Sequence, residues 1–229
     1  MPRSLNYPKF HVTSALDSWV FEMDLASPRP DSEETVRLLD RASAGDSIAL
    51  NRLLASHRDA VRAFVGARLD PAVRARLDPS DVVQEAMAEV ARRLADYCQR
   101  RPMPFHLWVR KAAYERALNA RREHRAARRD VGREANRPDE SSLALAHLLA
   151  CSGPTPSEAA EANEAADRVA QALDDLSEAD RELLILRQVD GLPYAEVAVL
   201  LDVEPAAARQ RYGRALIRLQ KALAAHGVA

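Results

Sequence analysis

The stretch from Pro104 to Arg129 constrains the fold more than any other part of the chain. No proline or glycine follows Pro104 within it, and its alanines, leucines and arginines favour a helix. It begins with two aromatic residues one helical turn apart, Phe105 and Trp108, and Glu115 and Glu123 are the two acids that oppose its many arginines. We therefore predict one long cationic helix. It either binds nucleic acid through phosphates and unstacked bases, or presents a solvated arginine face with its aromatic rings in a core.

The distribution of charge indicates two basic regions. The 229 residues have a formal net charge of −1, but the sum of charged residues is −2 for residues 1–99, +8 for 100–137, −12 for 138–204 and +5 for 205–229. Two basic blocks separated by an acidic block favour two separate nucleic-acid contacts. Seven glycines and 5% aromatic residues favour an all-α fold over a sheet.

Several classes of protein are excluded on composition. Cys98 and Cys151 are too few and too far apart for a disulfide framework or a zinc site, which fits a reducing cytoplasm. No signal peptide is expected at the N-terminus, and no apolar run approaches the length of a membrane span. Residues 1–31 contain four prolines and are predicted to form a flexible tail.

Helix boundaries can be predicted along the next hundred residues, 32–130, which we expect to form one domain. Ordered structure should begin near Ser32, where Val36, Leu38 and Leu39 start a first short helix that ends at Ala44–Gly45. Asp46 should cap a second helix that runs to about Leu69 and buries Leu50, Leu53, Leu54, Val61 and Val65. Asp78 as N-cap, Pro79 at the first helical position and Asp81 in the first turn predict a third helix, through about Tyr97. Residues 99–104 should form the loop into the basic helix.

An acidic face on the third helix leaves three interpretations open. Asp81, Glu85 and Glu89 lie at helical spacing on one side. Carboxylates in this arrangement can hold metal ions inside a helical bundle, but such sites usually include a histidine, which this helix lacks. The alternatives are a solvated acidic surface or a docking face for a basic partner.

The C-terminal part, residues 161–229, predicts a helix-turn-helix after a linker at 131–160 that carries a short apolar helix over Ser141–Cys151. Gly191 should end one helix, Tyr194–Leu201 should form the next, and a turn at 202–204 should precede a recognition helix at 205–220. Asp202 can adopt a left-handed conformation in that turn at modest cost, or its side chain can cap or pair locally. We expect five polar residues to face outward, although an ordinary helical hairpin with a solvated face is the alternative: Arg209, Gln210, Arg211, Arg214 and Arg218.

The two halves together resemble the extracytoplasmic-function sigma factors of bacterial RNA polymerase. Residues 78–85 read DPSDVVQE and match the D-x-x-D-h-h-Q-E signature of domain two of that family, and residues 105–109 match its F-x-x-W-h motif. Residues 191–198 read GLPYAEVA and match the G-L-s-y-x-E-h-A motif of domain four. The likeness covers roughly 46–125 and 166–223.

The resemblance implies a transcription-initiation factor with no catalytic residue, no cofactor and no metal. It implies that Asp81, Gln84 and Glu85 dock on the β′ clamp helices of core RNA polymerase, that domain four contacts the β flap, and that an anti-sigma factor can be a further partner. It also implies a set of residues for the promoter minus-ten element: Arg100, Arg101, Phe105, Trp108, Lys111, Tyr114, Glu115, Asn119 and Arg122. For the minus-thirty-five element it implies Arg209, Gln210, Arg211 and Arg214.

Two other functions remain open on sequence alone. Residues 191–211 taken by themselves would fit a LuxR-like helix-turn-helix regulator, although residues 32–130 resemble neither a receiver nor a ligand-binding domain. The acidic face of the third helix would fit a metal-dependent helical hydrolase. Co-purification with core RNA polymerase would distinguish a sigma factor from a LuxR-like regulator. Metal analysis of the purified protein would distinguish both from a metal-dependent hydrolase.

Overall fold

The computed structural model describes residues 27–69, 71–129, 140–150 and 166–228. Throughout these ranges the chain is helical or forms turns and connections, with no strand, so the all-α prediction is confirmed for the described residues. The chain divides into two compact units. One contains residues 27–141 and 198–204, and the other contains 142–197 and 205–228 among the described residues. The predicted domain limits at 32, 131 and 161 stay predictions.

The first unit contains six helices in the described residues. They are α1 (Glu33–Ser43), α2 (Ser47–Arg68), α3 (Pro71–Arg74), α4 (Pro79–Arg92), α5 (Leu94–Arg100) and α6 (Phe105–Arg129).

The predicted N-caps of α2 and α4 are confirmed, and the structure adds Ser32 as the N-cap of α1. The Ser32 hydroxyl accepts a hydrogen bond from the N–H of Thr35, and the Asp46 carboxylate accepts from Ile48 and Ala49. The carboxylate of Asp78 accepts from the N–H of Ser80, with Pro79 at the first helical position. Each cap satisfies N–H groups that have no partner inside the helix.

The predicted third helix is two helices. The backbone of Arg93 (φ −98°, ψ 6°) ends α4, and its N–H bonds to the carbonyls of Ala91 and Glu89. The chain then continues into α5, which buries Leu94 and Tyr97 and ends at Arg101 with a left-handed φ of 37°. The periodic apolar pattern continues across Arg93, so the sequence alone does not reveal the break.

The basic helix α6 is the centre of the first unit. It packs along α4 and α2 and contacts α3. Buried apolar residues of the three main helices form the core: Leu53, Val61, Val65, Val82, Val83, Ala86, Val90, Leu107, Val109, Ala113 and Ala117. Two expected core residues of α2, Leu50 and Leu54, are only intermediate in burial, and Val36 of α1 is 37% exposed.

The apolar helix predicted at Ser141–Cys151 is α7 (Glu140–Ala150). Leu145 and Ala146 are buried, whereas Leu143 is 39% and Leu148 51% exposed. The rest of the predicted linker, 131–139 and 151–160, lies outside the described residues.

The C-terminal helices are α8 (166–174), α9 (Glu178–Gln188), α10 (Tyr194–Leu201) and α11 (Pro205–Ala225), and α9 packs against α11. Gly191 (φ 62°) follows α9, and Asp202 (φ 55°) lies in the turn after α10, so Asp202 adopts the left-handed conformation. The buried side of α11 contains Ala208, Tyr212, Ala215 and Leu219, and Leu216 beside them is intermediate.

Candidate nucleic-acid interface

The start of the basic helix α6 is held by a carboxylate from far upstream. The backbone N–H of Phe105 donates to Asp31 Oδ2 at 2.6 Å, and that of His106 donates to Asp31 Oδ1 at 3.1 Å. The ring Nδ1 of His106 lies 3.0 Å from the same Oδ1. The Asp31 carboxylate therefore occupies the position of an N-terminal cap, where an anion also interacts favourably with the helix dipole.

Two opposing effects act on the pKa of Asp31. Burial raises the pKa of this carboxyl, but the hydrogen bonds from the His106 side chain and from the N–H groups of Phe105 and His106 lower it, and the net direction is downward. The prolines of residues 1–31 predict that Asp31 belongs to a flexible tail. Its contacts instead make it part of the structure that positions α6.

An aromatic cluster surrounds the same end of α6. The rings of Tyr97 and Trp108 are stacked with centroids 4.5 Å apart and an interplanar angle of 21°. Phe105 is fully buried and contacts both rings, at 5.5 Å from Tyr97 and 5.9 Å from Trp108. The Tyr97 hydroxyl donates to the carbonyl of Met103 at 2.9 Å, and burial is the main effect that raises the pKa of Tyr97 to about 12. The cluster thus fixes the loop that leads into α6.

A small open pocket lies beside this cluster. Its volume is about 100 Å³, and it combines two arginines, a carboxylate, two aromatic rings and a proline: Arg93, Asp96, Tyr97, Arg100, Pro102 and Trp108. This is below the range of pockets that enclose a drug-sized ligand. It can accept one edge of a planar polar group, with cations beside it and ring surface at its wall.

The predicted minus-ten residues divide by exposure. Arg100, Arg101, Glu115, Asn119 and Arg122 are exposed, and Trp108 and Lys111 are intermediate. Phe105 (0% exposed) and Tyr114 (4%) are core residues, and Tyr114 packs against Phe64 at 6.3 Å. Phe105 and Tyr114 therefore do not belong to the candidate contact surface, because a ring enclosed by protein has no exposed face on which a base can stack.

Some of the exposed cations already have partners in the chain. Arg101 Nη2 donates to Asp40 Oδ1 at 2.7 Å, and this hydrogen bond is the main effect that raises the pKa of Arg101. Arg116 on α6 lies 3.3 Å from Glu85 Oε2 and 3.5 Å from Glu89 Oε2 on α4.

The candidate docking face on α4 is exposed. Asp81, Gln84 and Glu85 all face solvent, while Glu89 is intermediate and also pairs with Arg93 at 3.2 Å. No group of three or more His, Cys, Asp or Glu side chains placed to hold a metal occurs in the described ranges. Glu85 and Glu89 instead make ion pairs with arginines.

The recognition helix α11 presents the expected polar face. Arg209, Gln210, Arg211 and Arg214 are exposed, as predicted for side chains that reach into a groove. Arg218 is exposed too, but its Nη1 donates to both Asp180 oxygens, at 2.9 and 2.7 Å. Arg218 therefore links α11 to α9 and is engaged within the protein.

An aromatic cluster that the sequence did not reveal lies behind this face. The Tyr194 ring makes an edge contact with Tyr212, with centroids 5.8 Å apart and planes at 74°. The guanidinium carbons of Arg187 and Arg209 lie 4.1 and 5.3 Å from the Tyr194 ring centroid. Gln188 donates its amide to the Tyr212 hydroxyl. The tyrosine of the G-L-s-y motif was the available signal, but the motif does not state what its ring contacts.

Comparison with known proteins identifies the family. Residues 166–219 match the family model described as Sigma-70, region 4. The ECF RNA polymerase sigma factor SigD of Mycobacterium tuberculosis (strain ATCC 25618 / H37Rv) is 32% identical over 186 residues, which cover 81% of this chain and 82% of SigD. The ECF RNA polymerase sigma-E factor of Escherichia coli (strain K12) is 29% identical over 180 residues, covering 78% of this chain and 88% of that protein.

A solved structure supports the fold. The structure of CnrH in complex with the cytosolic domain of CnrY covers 84% of this chain and 99% of the matched chain, with a TM-score of 0.50 and 22% identity. Among the described residues no helix is both long and apolar enough to cross a membrane. The matches to SigD and sigma-E extend well beyond the helix-turn-helix, which favours a sigma factor over a LuxR-like regulator or a metal-dependent hydrolase. The chain belongs to the ECF RNA polymerase sigma factors, which act in transcription initiation.

Proposed function

We propose that this sigma factor docks on core RNA polymerase through the face of α4 that carries Asp81, Gln84 and Glu85. The observation that carries the proposal is the exposure of all three side chains on one helix whose opposite side is buried in the core. Exposed carboxylates at this position suit a basic helical surface such as the β′ clamp helices, with the β flap as the contact of the C-terminal unit. These partners would place the protein in the bacterial cytoplasm, and the role involves no catalysis.

The minus-ten element would bind at the start of α6. The pocket beside Tyr97 and Trp108, with Arg100 at its edge, suits the edge of an unstacked base. Further along α6, exposed Asn119 and Arg122 would contact the single strand, and Lys111 and Glu115 would lie beside it. Phe105 and Tyr114 would support this surface from within the core.

The minus-thirty-five element would bind α11 in the major groove. Arg209, Gln210, Arg211 and Arg214 are exposed within the first half of that helix, the half that enters the groove in helix-turn-helix proteins. Arginine pairs with guanine in bidentate fashion, so these side chains can both read bases and neutralise phosphates.

Charge reversal at Glu85 tests the docking proposal. Glu85→Arg would place a cation against the basic partner, and close like charges at an interface cost several kcal/mol. We expect the variant to fold, to lose retention by core RNA polymerase in a pull-down with the full-length protein, and to fail in run-off transcription. Wild-type retention of the Glu85→Arg variant would refute the docking face.

Two controls separate docking from internal effects. Glu85→Arg also removes the ion pair with Arg116, so the double variant Glu85→Arg with Arg116→Glu restores an internal pair while keeping the reversed charge at residue 85. It should still fail to bind core, and recovery of binding would show that the internal pair was the cause. Glu33→Arg is the matched surface control, because Glu33 is 92% exposed on α1 and pairs with Arg37 at 3.2 Å. It should bind core normally.

A further inference from the structure

Tyr194 lies directly behind the exposed face of the recognition helix. It is the first residue of α10, its ring is 7% exposed, and the guanidinium of Arg209 lies 5.3 Å from the ring centroid. Arg209 is itself exposed. Its side chain therefore runs from α11 across a buried aromatic ring towards solvent.

The ring is held rigidly by other groups. Tyr212 contacts it edge-on at 5.8 Å and is in turn fixed by the amide of Gln188. Arg187 lies 4.1 Å from the ring centroid and donates to the carbonyl of Leu192. Because its surroundings are fixed at several points, the Tyr194 ring provides a stable platform for the exposed side chain of Arg209.

Contact with the Tyr194 ring restricts the orientations of the long Arg209 side chain before DNA binds. An arginine side chain loses rotamer entropy when it is fixed, and a cation over the face of an aromatic ring is attracted by the ring. Part of the entropy that Arg209 would lose on binding DNA is therefore already lost in the free protein. In the described part of α11, Arg211 and Arg214 share the exposed face, and no aromatic ring contact of either is found there.

We propose that Tyr194 is a positioning residue for promoter recognition, whose ring orients Arg209 to read one base pair of the minus-thirty-five element. The inference rests on the proposed role of α11 and adds a specificity determinant outside the recognition helix. It assigns different tasks to neighbouring arginines. Arg209 reads from a fixed orientation, whereas Arg211 and Arg214 bind without such support.

The test measures discrimination at each base pair of the element. Promoter fragments are first selected from a randomised duplex library with the full-length protein bound to core RNA polymerase. Binding is then compared for all single base-pair changes with wild type, Arg209→Ala, Tyr194→Leu, Tyr194→Phe and the double variant. Arg209→Ala should lose roughly 5- to 150-fold discrimination at one base pair.

The Tyr194 variants should show a graded pattern. Tyr194→Leu should lose about 2- to 5-fold discrimination at the same base pair, and Tyr194→Phe, which keeps the ring, should retain it. In the Arg209→Ala background, Tyr194→Leu should have no further effect at that base pair. A uniform loss at all base pairs, or a loss with Tyr194→Phe, would show that packing or the hydroxyl matters instead of the ring face and would overturn the proposal.

The two proposals fail in distinguishable ways. If Arg209→Ala keeps full discrimination, the assigned role of Arg209 in α11 is wrong. If Arg209→Ala loses discrimination and Tyr194→Leu does not, the role of Arg209 stands and the positioning role of Tyr194 is refuted.

An independent measurement on the unsubstituted protein covers the case in which Tyr194→Leu does not fold. NMR relaxation of the arginine Nε–H groups should give a higher order parameter for Arg209 than for Arg211 and Arg214. Equal mobility of the three side chains would overturn the proposal.

Discussion

The two basic helices of this sigma factor are held in place in different ways. Helix α6 is fixed by distant parts of the chain: its first N–H groups bind Asp31, and Phe105 is enclosed by Tyr97 and His57. The start of α11 is set by residues immediately before it. Asp202 adopts a left-handed conformation, the N–H of Val203 bonds to the carbonyl of Ala198, and Pro205 opens the helix.

Ion pairs within the protein engage arginines of both helices. On and beside α6, Arg116 pairs with Glu85 and Glu89, and Arg101 pairs with Asp40. On α11, Arg218 is engaged by Asp180 in the same manner. The arginine count of a helix therefore overstates the positive charge that DNA meets.

The largest effect is expected where α6 depends on Asp31. Asp31→Ala removes a cap that accepts two backbone hydrogen bonds, so the free energy of unfolding of the full-length protein should fall by about 0.5–2 kcal/mol. Urea unfolding measures the change. Asp59→Ala, at an exposed position of α2, is the control and should change stability by less than about 0.5 kcal/mol. An equal effect of the two substitutions would contradict the capping role.

The pH dependence of the same cap follows from its lowered pKa. Because the folded-state pKa of Asp31 lies below its unfolded value, the unfolded chain binds this proton more readily as the pH falls. The stabilisation is therefore complete above the unfolded pKa of about 4 and is lost as the pH falls through the folded-state pKa. The stability difference between wild type and Asp31→Asn should shrink over that acidic range. A difference independent of pH would show that the carboxylate charge has no part in the cap.

This contrast explains what the sequence could predict. The caps at Asp46 and Asp78, the Asp202 turn and the outward face of α11 all depend on residues within a few positions of one another. The Asp31 contact spans 74 residues to Phe105, and no local pattern encodes such a pairing. It was missed because the prolines around Asp31 indicated a flexible tail.

In the candidate sites, too, features set by local helical spacing could be predicted from the sequence, and features set by packing between helices could not. Helical spacing predicted correctly that Asp81 and Glu85 are exposed, and likewise Arg209 and Arg214. It gave no way to see that Phe105 and Tyr114 are buried, because an aromatic residue in a cationic helix suits both a core and a base-stacking surface. The burial of Tyr114 depends on packing against Phe64 of α2, which is a tertiary fact.

A smaller effect, of opposite sign, is expected in the turn before α11. Asp202 has φ 55°, a region that glycine adopts without steric cost, so Asp202→Gly should be neutral or should raise the free energy of unfolding by up to about 1 kcal/mol. Asparagine also tolerates this backbone conformation, so Asp202→Asn, which removes the charge, should leave the free energy of unfolding nearly unchanged. Asp202→Val should destabilise, because a β-branched side chain is strained there. Thermal melting of the three full-length variants measures the effects. A clear drop with Asp202→Gly would mean that the ion pair of Asp202 Oδ1 with Lys111 Nζ, at 3.6 Å, outweighs the backbone strain.

The smallest effect separates two neighbouring arginines of α11. Arg218 forms an ion pair with Asp180, and 56% of the Arg218 side chain is exposed. Because solvent weakens such a pair, Arg218→Ala should lower the free energy of unfolding by only a few tenths to about 1 kcal/mol. Because its guanidinium is already engaged, the salt dependence of promoter binding should stay unchanged. Arg214→Ala should have the reverse effect, with stability unaltered and the slope of log K against log salt reduced by about 1 if Arg214 meets a phosphate. Binding of the polymerase-bound full-length protein to one promoter fragment between roughly 50 and 200 mM salt distinguishes the two. An equal loss of slope in both variants would mean that Arg218 leaves Asp180 to bind DNA, and the difference between engaged and available cations would then disappear on this helix.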